Sequence, residues 1–149
     1  EGMDQPLEEG AWPIVAPSRV DGALLEWLVP RATVVTPNTL EAERLGGASR
    51  LLERGCRYVL VTGTHEAGVE VSNKLYSPAG LVREDRWQRL AGAYHGSGCT
   101  LASAIAAQLA KGRAVPEAVR EAQEFTWRAL AAGFRTGAGQ ALPNRFFLP

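Results

Sequence analysis

The residues best suited to chemistry stand in one run, His95-Gly96-Ser97-Gly98-Cys99-Thr100, which leads straight into Leu101-Ala102-Ser103-Ala104-Ile105-Ala106-Ala107-Gln108-Leu109. Two glycines one residue apart let the backbone turn tightly and approach a ligand with no Cβ in the way. Leu101, Ile105 and Leu109 recur every four positions on a bed of alanines, the mark of a helix that Gly112 closes. A glycine turn entering a helix leaves several backbone N–H groups unpaired and converging, and the helix dipole adds about half a positive charge there. Such a corner is a ready anion site. The bland alternative is a tight strand-to-helix turn with no ligand. Cys99 sits among these N–H groups, which favour its thiolate. Its own bland alternative is a small cysteine packed under the turn.

Other elements must position this run. Residues 33–36 are β-branched and continuous, as a parallel strand covered on both faces requires. The strand ends at Pro37-Asn38, and Thr39 is placed to cap a helix that begins at Leu40. A second helical piece spans 49–54 and stops at Gly55, and residues 58–62 form the next buried strand, opening into a loop at 63–68. Strand, helix, strand at that spacing is a βαβ unit, so the class is α/β.

Upstream, residues 1–12 read as loop or a frayed helix end, and 12–17 hold a short buried strand cut off by Pro17. Asp21 caps a helix through Leu28, with Leu24, Leu25 and Leu28 inward, ending before Pro30. Downstream, Val69 and Val71, then Leu75 and Tyr76, flank Ser72-Asn73-Lys74 as a hairpin would, and residues 81–87 add a strand. Pro116 opens the last helix, with Ala118, Val119, Ala122, Thr126, Ala129 and Gly133 on one face. The end of the chain, Phe146-Phe147-Leu148-Pro149, packs back on the domain or on a second subunit. Trp12, Trp27, Trp87 and Trp127 are scattered and read as core or interface.

Four stretches together carry a family resemblance: the HGSGCT run with its alanine-rich helix, Val-Thr-Pro-Asn-Thr-Leu-Glu-Ala at 35–42, Val-Leu-Val-Thr-Gly-Thr-His at 59–65, and Gly-Ala-Gly-Gln-Ala-Leu-Pro-Asn at 137–144. In that order they are similar to phosphomethylpyrimidine kinases of the ribokinase-like superfamily. Those enzymes usually read HGTGCT, so Ser97 replaces a threonine, and Ala16-Pro17-Ser18 stands where they carry Asp-Pro-Val. The resemblance runs over residues 34–144, about the second half of a typical member. The chain is then a C-terminal portion, or a partner supplies the rest, and most of the acceptor pocket belongs to the other half.

The resemblance implies a ribokinase-like three-layer αβα fold with a mostly parallel central sheet and a small antiparallel flap, in one domain. It implies phosphorylation of hydroxymethylpyrimidine and its monophosphate in thiamine biosynthesis, with ATP and Mg²⁺. Phosphoryl transfer asks for positioning and charge stabilisation. The amides of Gly96, Ser97, Gly98 and Cys99 would meet the charge developing on the γ-phosphoryl, and Cys99 would take the acceptor's hydroxymethyl proton. Asn38 and Glu41 match the superfamily's Asn-x-x-Glu motif at the mouth of the sheet. As an oxygen-rich pair they suit Mg²⁺, with the carboxylate acting through metal-bound water. Taken alone, Glu41 is a first-turn acid favoured by the helix dipole. Thr62 and Gly63, with His65 beside them, resemble the nucleotide side, where many relatives carry lysine in place of Thr62. His65 and His95 are read as ordering loops by hydrogen bonding.

At 149 residues one domain is expected. The 16 basic and 16 acidic side chains balance, leaving no electrostatic footprint for nucleic acid or an anionic membrane. No apolar run approaches a bilayer span and no signal peptide is visible, so cytoplasmic is the default. Cys56 and Cys99 are far apart and suggest neither a disulfide nor a metal site. The expected partner is a small pyrimidine alcohol, with a homodimer as a candidate assembly. The rivals are a pyridoxal or pyridoxine kinase, a degenerate kinase kept as a ligand-binding regulatory module, and acyl transfer by Cys99 with His95. Against the last, His95 lies on the turn itself and no third orienting group is apparent.

Overall fold

A computed structural model of the chain describes residues 22–64 and 67–147. The strand expected at 12–17, the Asp21 cap and His65 lie outside the described residues.

Alternation within one strand builds the layers. In β2 (Tyr58–Thr62) successive side chains point to opposite faces. Leu60 joins Leu75, Leu101, Ile105, Val119 and Ala122 on one side, while Val59 joins Val29, Leu45, Leu51 and Cys56 on the other. β1 (Val34–Val35) runs parallel to β2 with Val34 opposite Tyr58, and it divides the same way, Val34 to the first cluster and Val35 to the second. The first face is covered by α3 (Ser97–Ala110) and α4 (Val115–Ala131). The second is covered by α1 (Thr39–Arg44), α2 (Gly47–Glu53) and the turns at 24–31. Helices on both faces of a sheet make three layers, as expected.

β3 (Glu70–Ser77) and β4 (Gly80–Gln88) complete a sheet of order β1-β2-β3-β4, with both added pairings antiparallel. The flap therefore continues the sheet, with Thr62 of β2 opposite Asn73 of β3. Among the described residues the parallel part is the β1–β2 pair.

Three local expectations are corrected. The hairpin turns at Pro78-Ala79, with Ser77 opposite Gly80, and Ser72-Asn73-Lys74 run on inside β3. Ser72 Oγ donates to Glu84 Oε1 on the neighbouring strand at 2.7 Å, and Asn73 is buried against Gln123 of the last helix. Residues Leu24–Leu28 form a π-helical turn and Val29–Arg31 a 3-10 turn that contains Pro30, so winding continues past the proline. The changed winding shifts the inward phase by one position. Val29 is fully buried, and Leu28, expected inward, is 63% exposed. Finally, the cap of α1 is Asn38 and not Thr39.

The last helix buries Ala118, Val119, Ala122, Thr126 and Ala129 of its expected face and adds Gln123 to it, while Gly133 lies past the helix end at Ala131. Phe147 packs back on α4 against Phe125 at 5.3 Å between centroids, under the Arg128 guanidinium, while Phe146 is exposed.

Candidate functional site

The carboxyl ends of the parallel pair open side by side. Thr62 N–H donates to Pro37 O at 3.0 Å, and Asn38 bridges to Thr62 in parallel register. This is the edge at which α/β folds bind ligands. Asn38 Oδ1 accepts the Glu41 N–H at 2.9 Å, and Glu41 Oε2 accepts the Asn38 N–H at 2.9 Å, a reciprocal capping box. Thr39 instead donates its hydroxyl to Thr62 O at 3.3 Å. Gly63, one step beyond, is buried, and its N–H donates to Ser72 O and Asn73 Oδ1.

The glycine turn enters α3 as expected. Gly96 is the N-cap at φ 86°, in the left-handed region that glycine tolerates, and no side chain caps the first turn. Its carbonyl accepts both the N–H and the hydroxyl of Thr100, at 3.0 and 2.8 Å. The tail buckles this turn in place. His95 N–H donates to Ala141 O, Ala141 N–H donates to Ala93 O, and Phe134 and Leu142 exchange backbone hydrogen bonds. His95 thus serves the loop through its backbone. Arg145 Nε reaches Thr100 Oγ1 at 3.0 Å.

A cavity of about 500 Å³ joins the two edges. Thr62 lines it from the end of β2, Asn38 and Glu41 from the first turn of α1, and Ser97 and Gly98 from α3. Gly63 and Gly96 support these residues without lining the cavity. Cys99 is exposed and does not line it either. Positions 97, 98 and 101 share one face of the helix, whereas 99 falls on the neighbouring side.

The rest of the wall was not anticipated as functional. Trp87 and Trp127 both line the cavity, with ring centroids 6.4 Å apart and planes inclined by 28°. Their indole N–H groups are used, Trp87 to Gln123 Oε1 at 3.0 Å and Trp127 to Gln88 O at 2.8 Å. Trp27, by contrast, is 59% exposed. Arg89, a cation on the wall, donates to the carbonyls of Thr64, Gly68 and Glu70 and so staples the loop after β2 onto β4. Asn73 and Gln123 are polar residues at inward positions of their elements, and that mismatch was the signal available in the sequence.

Among the described residues two titratable groups are shifted, and neither lines the cavity. Burial pushes the Cys56 thiol up, against weaker hydrogen bonding with the Tyr58 and Val35 backbone. The Ser72 hydroxyl, then Arg86 and Lys74, hold the Glu84 carboxyl below its usual range. Among the described residues no group of three or more His, Cys, Asp or Glu side chains is arranged to hold a metal. In the same residues no helix is long and apolar enough to cross a membrane.

The chain that carries this cavity is similar to known proteins over most of its length. Residues 13–144 match the phosphomethylpyrimidine kinase family. The chain belongs to that family. A hydroxymethylpyrimidine/phosphomethylpyrimidine kinase of Streptomyces coelicolor is 42% identical over 125 residues, 75% of this chain and 46% of the relative. A pyridoxine kinase of Bacillus subtilis is 36% identical over 145 residues, 85% of this chain and 51% of the relative. In structure, an ADP complex of B. subtilis pyridoxal kinase superposes with a TM-score of 0.81 at 29% identity, over 88% of this chain and 54% of the other. The fold of this phosphomethylpyrimidine kinase family member is thus ribokinase-like, and the chain spans about half the length of the relatives it matches.

Proposed function

We propose that the chain forms the nucleotide-binding part of a kinase that moves the γ-phosphoryl of ATP to the hydroxymethyl group of hydroxymethylpyrimidine and of its monophosphate. The observation that carries this reading is the single cavity shared by the Asn38/Glu41/Thr62 edge and the Ser97/Gly98 turn. The base lies against the Trp87 and Trp127 indoles, and flat rings favour such a wall. The triphosphate runs past Thr62 and Thr64 to the first turn of α3, where N–H groups and dipole oppose the charge of the transferred phosphoryl.

The donor set fits Mg²⁺. Glu41 lines the cavity and commits one carboxylate oxygen to Asn38 N–H, which leaves hard oxygen lone pairs for an ion that keeps most of its water. Glu41 would hold the ion, with Asn38 orienting the carboxylate. When bound, the ion neutralises phosphate charge. Cys99, exposed and next in sequence to the lining Gly98, is the residue we assign to take the hydroxyl proton as oxygen attacks phosphorus. The first-turn amides hold the anion between the two. In this reading the protein works in the cytoplasm on a small alcohol, as a homodimer or alone, and light scattering reports which.

Calorimetry with ADP and ATP tests the nucleotide site. Labelled ATP with hydroxymethylpyrimidine, its monophosphate, pyridoxine and pyridoxal then tests transfer and choice of acceptor. Turnover of the first two supports the proposal, and turnover of the last two alone moves the assignment to the pyridoxine kinase reading, which the B. subtilis relative favours. Transfer is assayed with the acceptor-binding half supplied, and nucleotide binding with no transfer to any acceptor under that condition supports a ligand-binding module. No nucleotide binding by the chain removes the proposal.

A further inference from the structure

We propose that Gln123 is a positioning residue that sets both ends of the donor-nucleotide site at once, holding the Trp87 indole directly and the Gly63 backbone through Asn73. The inference rests on the nucleotide reading above and adds to it a device that couples the base wall to the strand end beside the phosphates.

Gln123 projects from α4 and is 3% exposed. Its Oε1 accepts from Trp87 Nε1 at 3.0 Å and from Asn73 Nδ2 at 2.9 Å, and its Nε2 donates to Asp85 Oδ2 at 2.8 Å. Asn73 Oδ1 in turn accepts the Gly63 N–H at 3.1 Å. The direction of this chain is determined by its ends. A backbone N–H and an indole N–H can only donate, so the atoms facing them must be oxygens. Asn73 then has only its amine to offer Gln123, and Gln123 only its amine to offer Asp85. Asp85 is anchored by Arg83 at 2.9 and 2.7 Å and by Arg120 at 3.6 Å, and the Arg120 guanidinium also lies 4.5 Å over the Trp87 ring.

Each side-chain oxygen and nitrogen of Asn73 and Gln123 has a partner in this network, which is the condition under which such a network rigidifies a wall. Both of its working ends reach the cavity: Trp87 lines it, and Gly63 joins Thr62 to Thr64, which also line it. Asn73 and Gln123 lie on the same wall. A side chain at position 123 that cannot accept two hydrogen bonds frees the indole and the strand end together. The base wall and the phosphate-side rim therefore lose their register in one step.

The test is ADP affinity by calorimetry, with acceptor KM and kcat beside it. Gln123→Leu is expected to weaken ADP binding tenfold or more while leaving acceptor KM within twofold. A folded Gln123→Leu protein that binds ADP within twofold of wild type overturns the inference, as does an equal loss of acceptor and ADP affinity. Where Gln123→Leu fails to fold, Gln123→Glu carries the test. It keeps the acceptor but sets a carboxylate against Asp85, so ADP binding weakens. Adding Asp85→Asn restores a donor at that contact and is expected to recover affinity to within threefold of wild type. Wild-type affinity in Gln123→Glu alone, or no recovery in the double variant, overturns the inference. Wild-type protein that does not bind ADP removes the nucleotide reading itself, an outcome distinct from failure of the variants.

Discussion

Arg145 and Thr100 stand 45 positions apart, and Nε of the first donates to Oγ1 of the second at 3.0 Å. Through this bond the tail reaches the first turn of α3, whose Gly96 carbonyl takes the Thr100 hydroxyl. The guanidinium also comes within 3.2 Å of the point where a Cβ on Gly96 would stand. A cation at the positive end of a helix is of the wrong sign for the dipole and of the right sign for an anion bound there.

Arg145→Ala is therefore expected to cost little stability, about 1 kcal/mol or less at so exposed a position. It should weaken binding of a non-hydrolysable ATP analogue by about fivefold, the equivalent of roughly 1 kcal/mol, and ADP binding less. Thermal denaturation and calorimetry on the same protein separate the two effects. Unchanged affinity for the ATP analogue would count against phosphate at this turn.

Gly133 permits the tail to close on the turn. A Cβ there would stand 2.8 Å from Leu130 O, 3.0 Å from Leu142 O and 3.1 Å from Tyr94 Cε1, two of them backbone atoms. Gly133→Ala should destabilise by roughly 1–3 kcal/mol as an overpacked site. The Ala141 and Leu142 amides, which pair with Ala93 and Phe134, should exchange with solvent faster. Hydrogen exchange by mass spectrometry reads this directly.

The sheet core predicts a contrast within one fold. Leu60→Ala empties a fully buried site between the sheet, α3 and α4 and should cost about 2–5 kcal/mol. Leu81→Ala, at 56% exposure on β4, should stay within about 0.5 kcal/mol. Equal midpoints in urea for the two variants would contradict the layer assignment.

The two thiols should behave differently. Cys99 is exposed and Cys56 buried, so a thiol reagent should label one group in native protein and two after denaturation. Burial raises the Cys56 thiol above its ordinary value of 9.0. The folded chain then holds a proton that the unfolded chain releases, and stability falls as pH rises from the unfolded thiol's range through the raised native one. Cys56→Ala should flatten that alkaline loss, which denaturant titrations from neutral pH upward would show.

Much of the architecture was legible in the chain because it is written in short-range terms. Glycine spacing and a four-residue apolar repeat marked the turn and α3, and continuous β-branched residues marked β1 and β2. The family followed from four motifs in order. Alternation and helical period state only that a side chain faces inward. They do not say which side chain it meets.

That second question was decided by tertiary structure. Asn73 and Gln123 meet across 50 positions, so a polar triplet that reads locally as a turn becomes the interior of a strand. Trp87 and Trp127 become one wall because the end of β4 lies against α4. Ser97 and Gly98 turn to the cavity and Cys99 to solvent because the tail and Arg145 hold one rotation of the first helical turn. Residue types in order determined which chemistry the chain can support. Packing between distant segments determined which of those residues share a cavity, since contact depends on how the layers close and not on spacing along the chain.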